Sequence, residues 1–278
     1  MLGRWQLMRR IAATEHAELY QARPIHQPAQ SPADYVVKVA RGEGSAALAG
    51  ALLSRERTVA GSVRHLHVAP VLDGDLSQAP PYLVLANAGS PASDQSQQSI
   101  RSALWRVRQA AAAVAALHSA GWIHSRLTPQ ALFISSRGHV TLSELGWARR
   151  IGSDECRGEH LLAADLRYVA PELLADGALL TPACDVYALG LLLIELLIGR
   201  PAVNAELGWQ AALAHLRGEL ADVREFRADV PQALMDLLAQ VTSREPLRRP
   251  SAAEVKRQLV RLEVTQLSGA TTTRTRWR

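Results

Sequence analysis

Residues 122–146, WIHSRLTPQALFISSRGHVTLSELG, constrain the fold of this chain more than any other stretch. A short apolar lead-in runs into a loop that carries His124. Residues 132–135 and 139–142 then form two short alternating runs around the turn Ser136-Arg137-Gly138, and the segment closes on Glu144-Leu145-Gly146. Two such runs joined by a Gly-containing turn read as a β-hairpin.

The chain around this hairpin has 278 residues, 48% of them hydrophobic, with a mean hydropathy of -0.03. That is a globular composition with ample core, and the length allows one domain or two. A net charge of +5 and a pI of about 9.7 permit an acidic partner. The arginines are scattered, however, and read as a solvated surface. No basic cluster is interleaved with aromatics, so no nucleic-acid partner is expected. Cys156 and Cys184 are too few and too isolated for a disulfide framework or a zinc site, which fits a reducing cytoplasm. Charged and polar residues from Arg4 onward leave no room for a signal peptide. The most apolar run, residues 188–199, contains Glu195 and falls well short of the roughly 20 residues of a membrane span. It reads as a buried core helix, and no membrane crossing is expected.

Residues 5–23 read as two strands with a turn between them, 24–34 as an exposed Pro-, Gln- and Ser-bearing loop, and 35–39 as a strand carrying Lys38. Lys38 and Lys256 are the only lysines; every other cationic side chain is Arg. A helix over 45–62 holds Glu56 between Arg55 and Arg57, where it also reads as part of a surface charge string. Strands over 68–72 and 82–85 complete a small antiparallel sheet. After a polar loop at 92–99, Leu104, Val107, Ala111, Val114 and Leu117 recur at three- and four-residue spacing, which predicts an amphipathic helix over 100–120 with Gly121 as its C-cap. Ser251-Ala-Ala-Glu254 is a capping box opening a last helix to about Val264. Residues 268–278, SGATTTRTRWR, are polar and basic without periodicity and read as a disordered tail.

These segments, in this order and at these spacings, resemble the protein kinases, and within them bacterial Ser/Thr kinases of the eukaryotic type. Residues 35–39 match the V-A-I-K strand, residues 124–131 the H-R-D-x-x-x-x-N loop, residues 144–146 the D-F-G segment, and residues 170–172 the A-P-E motif. Residues 185–190, DVYALG, match the start of the central helix, and residues 248–251, RRPS, the late arginine. The resemblance covers about residues 5–265. It implies an α+β, bilobal fold: a small antiparallel sheet with one helix over residues 1–87, a mainly α-helical lobe over 88–266, and the basic tail over 267–278. Residues 86–90 would be the hinge between the lobes.

By the same resemblance Lys38 pairs with nucleotide phosphates and with Glu56, Leu85 is the gatekeeper with an ordinary buried Leu as the other reading, and Phe133 falls at the floor of the adenine site, where its bulk is compatible with an open cleft or a filled one. Glu172 pairs with Arg249, and Asp185 holds the His124 loop. Leu145 joins an apolar stack with His124 and Asp185. The departures fall on the chemistry. Arg126 replaces the catalytic Asp, Thr128 the loop Lys, and Ala131 the metal-binding Asn. Glu144 keeps a carboxylate at the Mg²⁺ position, one methylene longer, and reads either as a weakened metal ligand or as a partner of Lys38 or Arg126. Ala12, Thr14 and Ala17 stand where the loop over the phosphates has glycines, beside Glu15 and Glu18, so that loop reads as an ordinary hairpin turn. Asp165 replaces the Thr typical of the activation segment.

No carboxylate lies within residues 124–131, and loss of a general base alone lowers a rate by roughly 10²–10⁴. ATP and Mg²⁺, the cofactors of the family, are expected to bind weakly if at all. Three readings follow: a pseudokinase that scaffolds or regulates a protein partner such as a kinase or phosphatase; a weak or atypical phosphotransferase using Lys38 and Glu144; and a nucleotide- or ligand-sensing module without turnover.

Overall fold

The computed structural model describes residues 1–28, 30–41, 46–92, 96–153, 165–175 and 179–272, with side chains through Thr265. Cys156 lies outside the described residues. Two lobes are joined through the residues after Ala86. The first is a five-stranded sheet in the order β1-β2-β3-β5-β4, formed by β1 (Trp5–Ala13), β2 (Ala17–Pro24), β3 (Tyr35–Ala40), β4 (Val71–Asp75) and β5 (Tyr82–Ala86). Its neighbours are all antiparallel. β3 is central and covered on both faces, hence its unbroken YVV-VA apolar character around Lys38. One helix, α1 (Ala46–Ser62), packs beside the sheet and buries Leu52, Leu53, Glu56 and Val59.

The second lobe is mainly helical. α2 (Ile100–Ser119) begins at Ser99, whose Oγ accepts the Ser102 N–H, and buries the stripe of Leu104, Val107, Ala111, Val114 and Leu117. It is capped at Ala120, and Gly121 follows with φ +81°. β6 (Ser90–Pro91), β8 (Leu132–Ile134) and β9 (Val140–Leu142) form a small sheet, while β7 (Trp122–Ile123) pairs with β10 (Arg149–Arg150). α3 (Pro182–Ile198) runs through the core and stops at Gly199 in the left-handed region. Around it stand α4 (Gly208–Arg217), α5 (Val223–Phe226), α6 (Gln232–Val241) and α7 (Ala252–Thr272).

Three expectations are corrected. The strand expected over 68–72 begins only at Val71. Val68 instead bridges Leu142 of the other lobe, the Ala69 N–H is given to Leu142 O at 2.8 Å, and Pro70 has no N–H to offer a sheet. The last helix does not end near Val264 but runs to Thr272, into the segment read as a tail. Gly269 inside it weakens a helix by only about 1 kcal/mol relative to Ala, and no proline ends it sooner. The capping box is half formed: Ser251 Oγ accepts the Glu254 N–H at 3.2 Å, while the Glu254 carboxylate turns to Arg257.

Candidate functional site

Lys38 leaves β3 toward the interlobe space and meets two carboxylates. Its Nζ donates to Glu56 Oε2 at 2.8 Å and to Glu144 Oε1 at 2.9 Å. Burial alone would favour the neutral amine, but the charges of Glu144 and Glu56 outweigh it and hold the ammonium form. The two acids divide: burial pushes the Glu56 carboxyl up, whereas at Glu144 the burial effect is overcome by Lys38 and then Arg126, so its carboxyl sits below the usual range.

The loops that bring these groups together hold strained backbone. Ser125 (φ +65°) and Glu144 (φ +59°) are both left-handed without being glycine, each at a cost on the order of 1 kcal/mol or more. Asp185 holds the first loop. Its carboxylate accepts the His124 and Ser125 N–H groups and a hydrogen bond with His118 Nε2, all at 2.8 Å. The second loop is held by Lys38 and by close packing. A Cβ on Gly146 would lie 2.7 Å from Leu52 O of α1, so only glycine lets the segment come this near. Leu145 is fully buried, and His124, also fully buried, donates from Nε2 to Ser143 O at 2.8 Å.

Between the lobes lies a cavity of about 340 Å³. Its charged lining comprises Lys38 and Arg126 against Glu15, Glu56, Glu144 and Asp165, with His16 beside them. Arg126 stacks over Trp147 at 4.4 Å, and His16 packs against the same ring at 5.6 Å. His16 sits at the tip of the β1–β2 hairpin. There Thr14 closes a tight turn, its N–H donating to Ala17 O at 2.8 Å and its Oγ1 accepting the Ala17 N–H at 3.0 Å. The hairpin of the first lobe is thereby laid onto the second. Deeper in, Phe133 of β8 packs with Leu19 and Val36 of the upper sheet, flanked by Ile11, Ala12 and Ala88.

A family model of the protein kinase domain matches residues 32–260. The chain belongs to the protein kinase family. Similar proteins include the serine/threonine-protein kinase PrkC of Bacillus subtilis, 29% identical over 55% of this chain and 24% of that protein. The serine/threonine-protein kinase PkaA of Streptomyces coelicolor is 34% identical over 54% of this chain and 27% of its own length. The probable serine/threonine-protein kinase pknA2 of Bifidobacterium longum is 24% identical over 71% of this chain and 27% of its own. The chain thus matches about a quarter of the length of these relatives.

In this kinase fold Lys38, Glu56, Arg126, Thr128, Phe133 and Glu144 all line the one cavity. Ala131 is buried and offers only its carbonyl, which accepts the Ser143 N–H at 2.8 Å. Leu85 is not among the lining residues. It is buried in β5, paired with Val36 on one side and Val71 on the other. Glu172 and Arg249 meet in the second lobe, where both terminal nitrogens of Arg249 donate to the Glu172 oxygens at 2.7 Å.

The residues do not fit Mg²⁺–ATP. Glu144, the one acid at the metal position, is turned to Lys38, and Ala131 supplies no side-chain ligand. Among the described residues no group of three or more His, Cys, Asp or Glu is arranged to hold a metal. At the position expected for the adenine floor, Phe133 packs with Leu19 and Val36. The sequence offered no hint of the Trp147 stack, because His16 and Trp147 lie in different lobes. It also missed that Asp165, distant in the chain, reaches the cavity that holds Arg126. There its carboxylate is occupied by Arg167, at 3.0 and 2.7 Å.

Proposed function

We propose that this kinase domain is a pseudokinase that works through a protein partner by holding a fixed, nucleotide-independent conformation. The observation that carries the reading is Phe133 packed against Leu19 and Val36, where an adenine ring would lie. Arg126 in place of the catalytic carboxylate and Ala131 in place of the metal-binding amide support it, since phosphoryl transfer rests on positioned phosphates, metals and an oriented nucleophile. Lys38 here serves as the bridge between Glu56 and Glu144, a role that needs no ligand. The partner would be a signalling protein such as an active kinase or a phosphatase. The cytoplasm suits a domain whose described residues include no helix long and apolar enough to cross a membrane.

The retained Lys38–Glu56 pair favours a second reading, weak ATP-dependent phosphorylation of Ser or Thr. Thermal-shift titration with ATP, with and without Mg²⁺, separates the two, because a ligand that binds only the native state raises Tm by mass action. The scaffold reading expects no shift at millimolar ATP and no label transfer from γ-labelled ATP to a generic protein substrate. Mg²⁺-dependent turnover that disappears in Lys38→Ala would replace it with the enzyme reading.

A further inference from the structure

Apart from the cavity, three histidines converge where the segment after α1 meets the β8–β9 hairpin. The rings of His65 and His67 lie 5.5 Å apart, and those of His67 and His139 lie 4.7 Å apart. Each makes a hydrogen bond that fixes its proton. His67 Nδ1 donates to Val140 O at 2.8 Å, and His139 Nε2 donates to Leu66 O at 3.0 Å. His65 Nδ1 accepts the His67 N–H at 3.2 Å, which requires that nitrogen to be unprotonated. The same place holds the backbone zipper between the lobes: Leu142 N–H to His67 O and Ala69 N–H to Leu142 O, both at 2.8 Å.

The charged groups that face the cluster oppose protonation. Lys256 of α7 faces His65, while Arg108 of α2, His139 and His65 face His67. Arg108 is itself bound to Glu263 at 2.9 Å.

We propose that His65 and His67, with the His139 ring packed against them, form an acid-sensitive latch between the lobes. Neutral, His65 and His67 tie the segment after α1 to the β8–β9 hairpin; protonated, they release it. Release breaks the His67 N–H to His65 bond and places cationic rings against one another and against Lys256 and Arg108. It frees the far end of α1, the helix that carries Glu56 to Lys38. The latch is independent of whether the cavity takes a ligand.

The direction of the effect follows from burial, which lowers the His65 pKa and pushes that of His67 down to about 4. A histidine held below its unfolded value of about 6.5 adds stability above that value and loses it as pH falls toward the folded one. Amide hydrogen exchange in the wild type and in His67→Asn tests the latch. Asn keeps a donor near the Nδ1 position and takes up no proton. In the wild type the protection factors of the Ala69 and Leu142 amides should fall about tenfold per pH unit below about 6.5 for each proton taken up. In His67→Asn that fall should be about tenfold per pH unit shallower. An identical pH dependence in the two proteins overturns the proposal. NMR titration of the wild-type His67 ring decides without a variant: a midpoint near 4 supports the latch, and one near 6.5 overturns it.

Discussion

Phe133 of the second lobe packs against Val36 of the first, inside the space between them. The contact lies on the wall of the cavity that Lys38, Arg126 and Trp147 also line. It couples the lobes by apolar burial, which asks nothing of a ligand.

Phe133→Ala should therefore have two effects of opposite sense. Truncating this buried ring should lower stability by about 3–5 kcal/mol. The same change should open the slot, so that adenosine or ATP raises Tm in the variant and not in the wild type. Denaturant unfolding reads the first effect and thermal shift the second. A variant that is destabilised yet indifferent to adenosine would show that Phe133 is core and nothing more.

Lys38→Ala should destabilise the protein in the absence of any nucleotide. It leaves Glu56 and Glu144 facing each other across a buried space, and removing one member of a buried charge pair costs about 3–5 kcal/mol. The loss should shrink when Glu144→Gln is added, since the repulsion goes with it. A double-mutant cycle by urea unfolding measures the coupling.

Arg249 has a fully buried side chain and also donates to Ser243 O at 2.7 Å and Ala183 O at 3.0 Å. Arg249→Ala should therefore cost more than Glu172→Ala. Each is expected to fall at about 3–5 kcal/mol, the arginine variant at the upper end. Chemical denaturation that ranked them the other way would place the stabilising contacts on Glu172.

Asp185→Ala should loosen the His124 loop and remove a pH dependence. Burial works against the Asp185 charge, but His118, then His124 and its N–H, hold the carboxyl below its usual range. An acid whose pKa is lowered by folding stabilises above its unfolded value of about 3.9 and loses that contribution as pH falls through the folded value. The wild type should lose stability along this limb, and Asp185→Ala should lose about 3–5 kcal/mol at neutral pH and show a flatter limb. Unfolding midpoints between pH 7 and 3 measure both.

Much of the architecture was legible in local pattern. The alternation at 132–135 and 139–142, the stripe from Leu104 to Leu117, and Gly121 at the end of that helix are local signals, because hydrogen bonding within a hairpin or a helix depends on near neighbours. The boundary at 68–72 was misread because the backbone of Val68 and Ala69 is used by Leu142, a partner that no nearby residue announces. Lys38 could be singled out because the chain has only two lysines, yet the sequence left Glu144 open as a weakened metal ligand or as a partner of Lys38 or Arg126.

What the amino-acid sequence determined by itself was the set of elements, their order, and the side-chain chemistry of residues 124–131: no carboxylate or lysine anywhere in the loop, and Ala rather than an amide at position 131. What only the tertiary structure decided was where the remaining groups go. Glu144 turns to Lys38, Arg126 stacks on Trp147, Phe133 fills the space under Val36, and three histidines separated in the chain meet at the lobe junction. The reason is physical. Burial and charge pairing act through space, so the identity of a group is written in the chain while its partner is chosen only when the lobes come together.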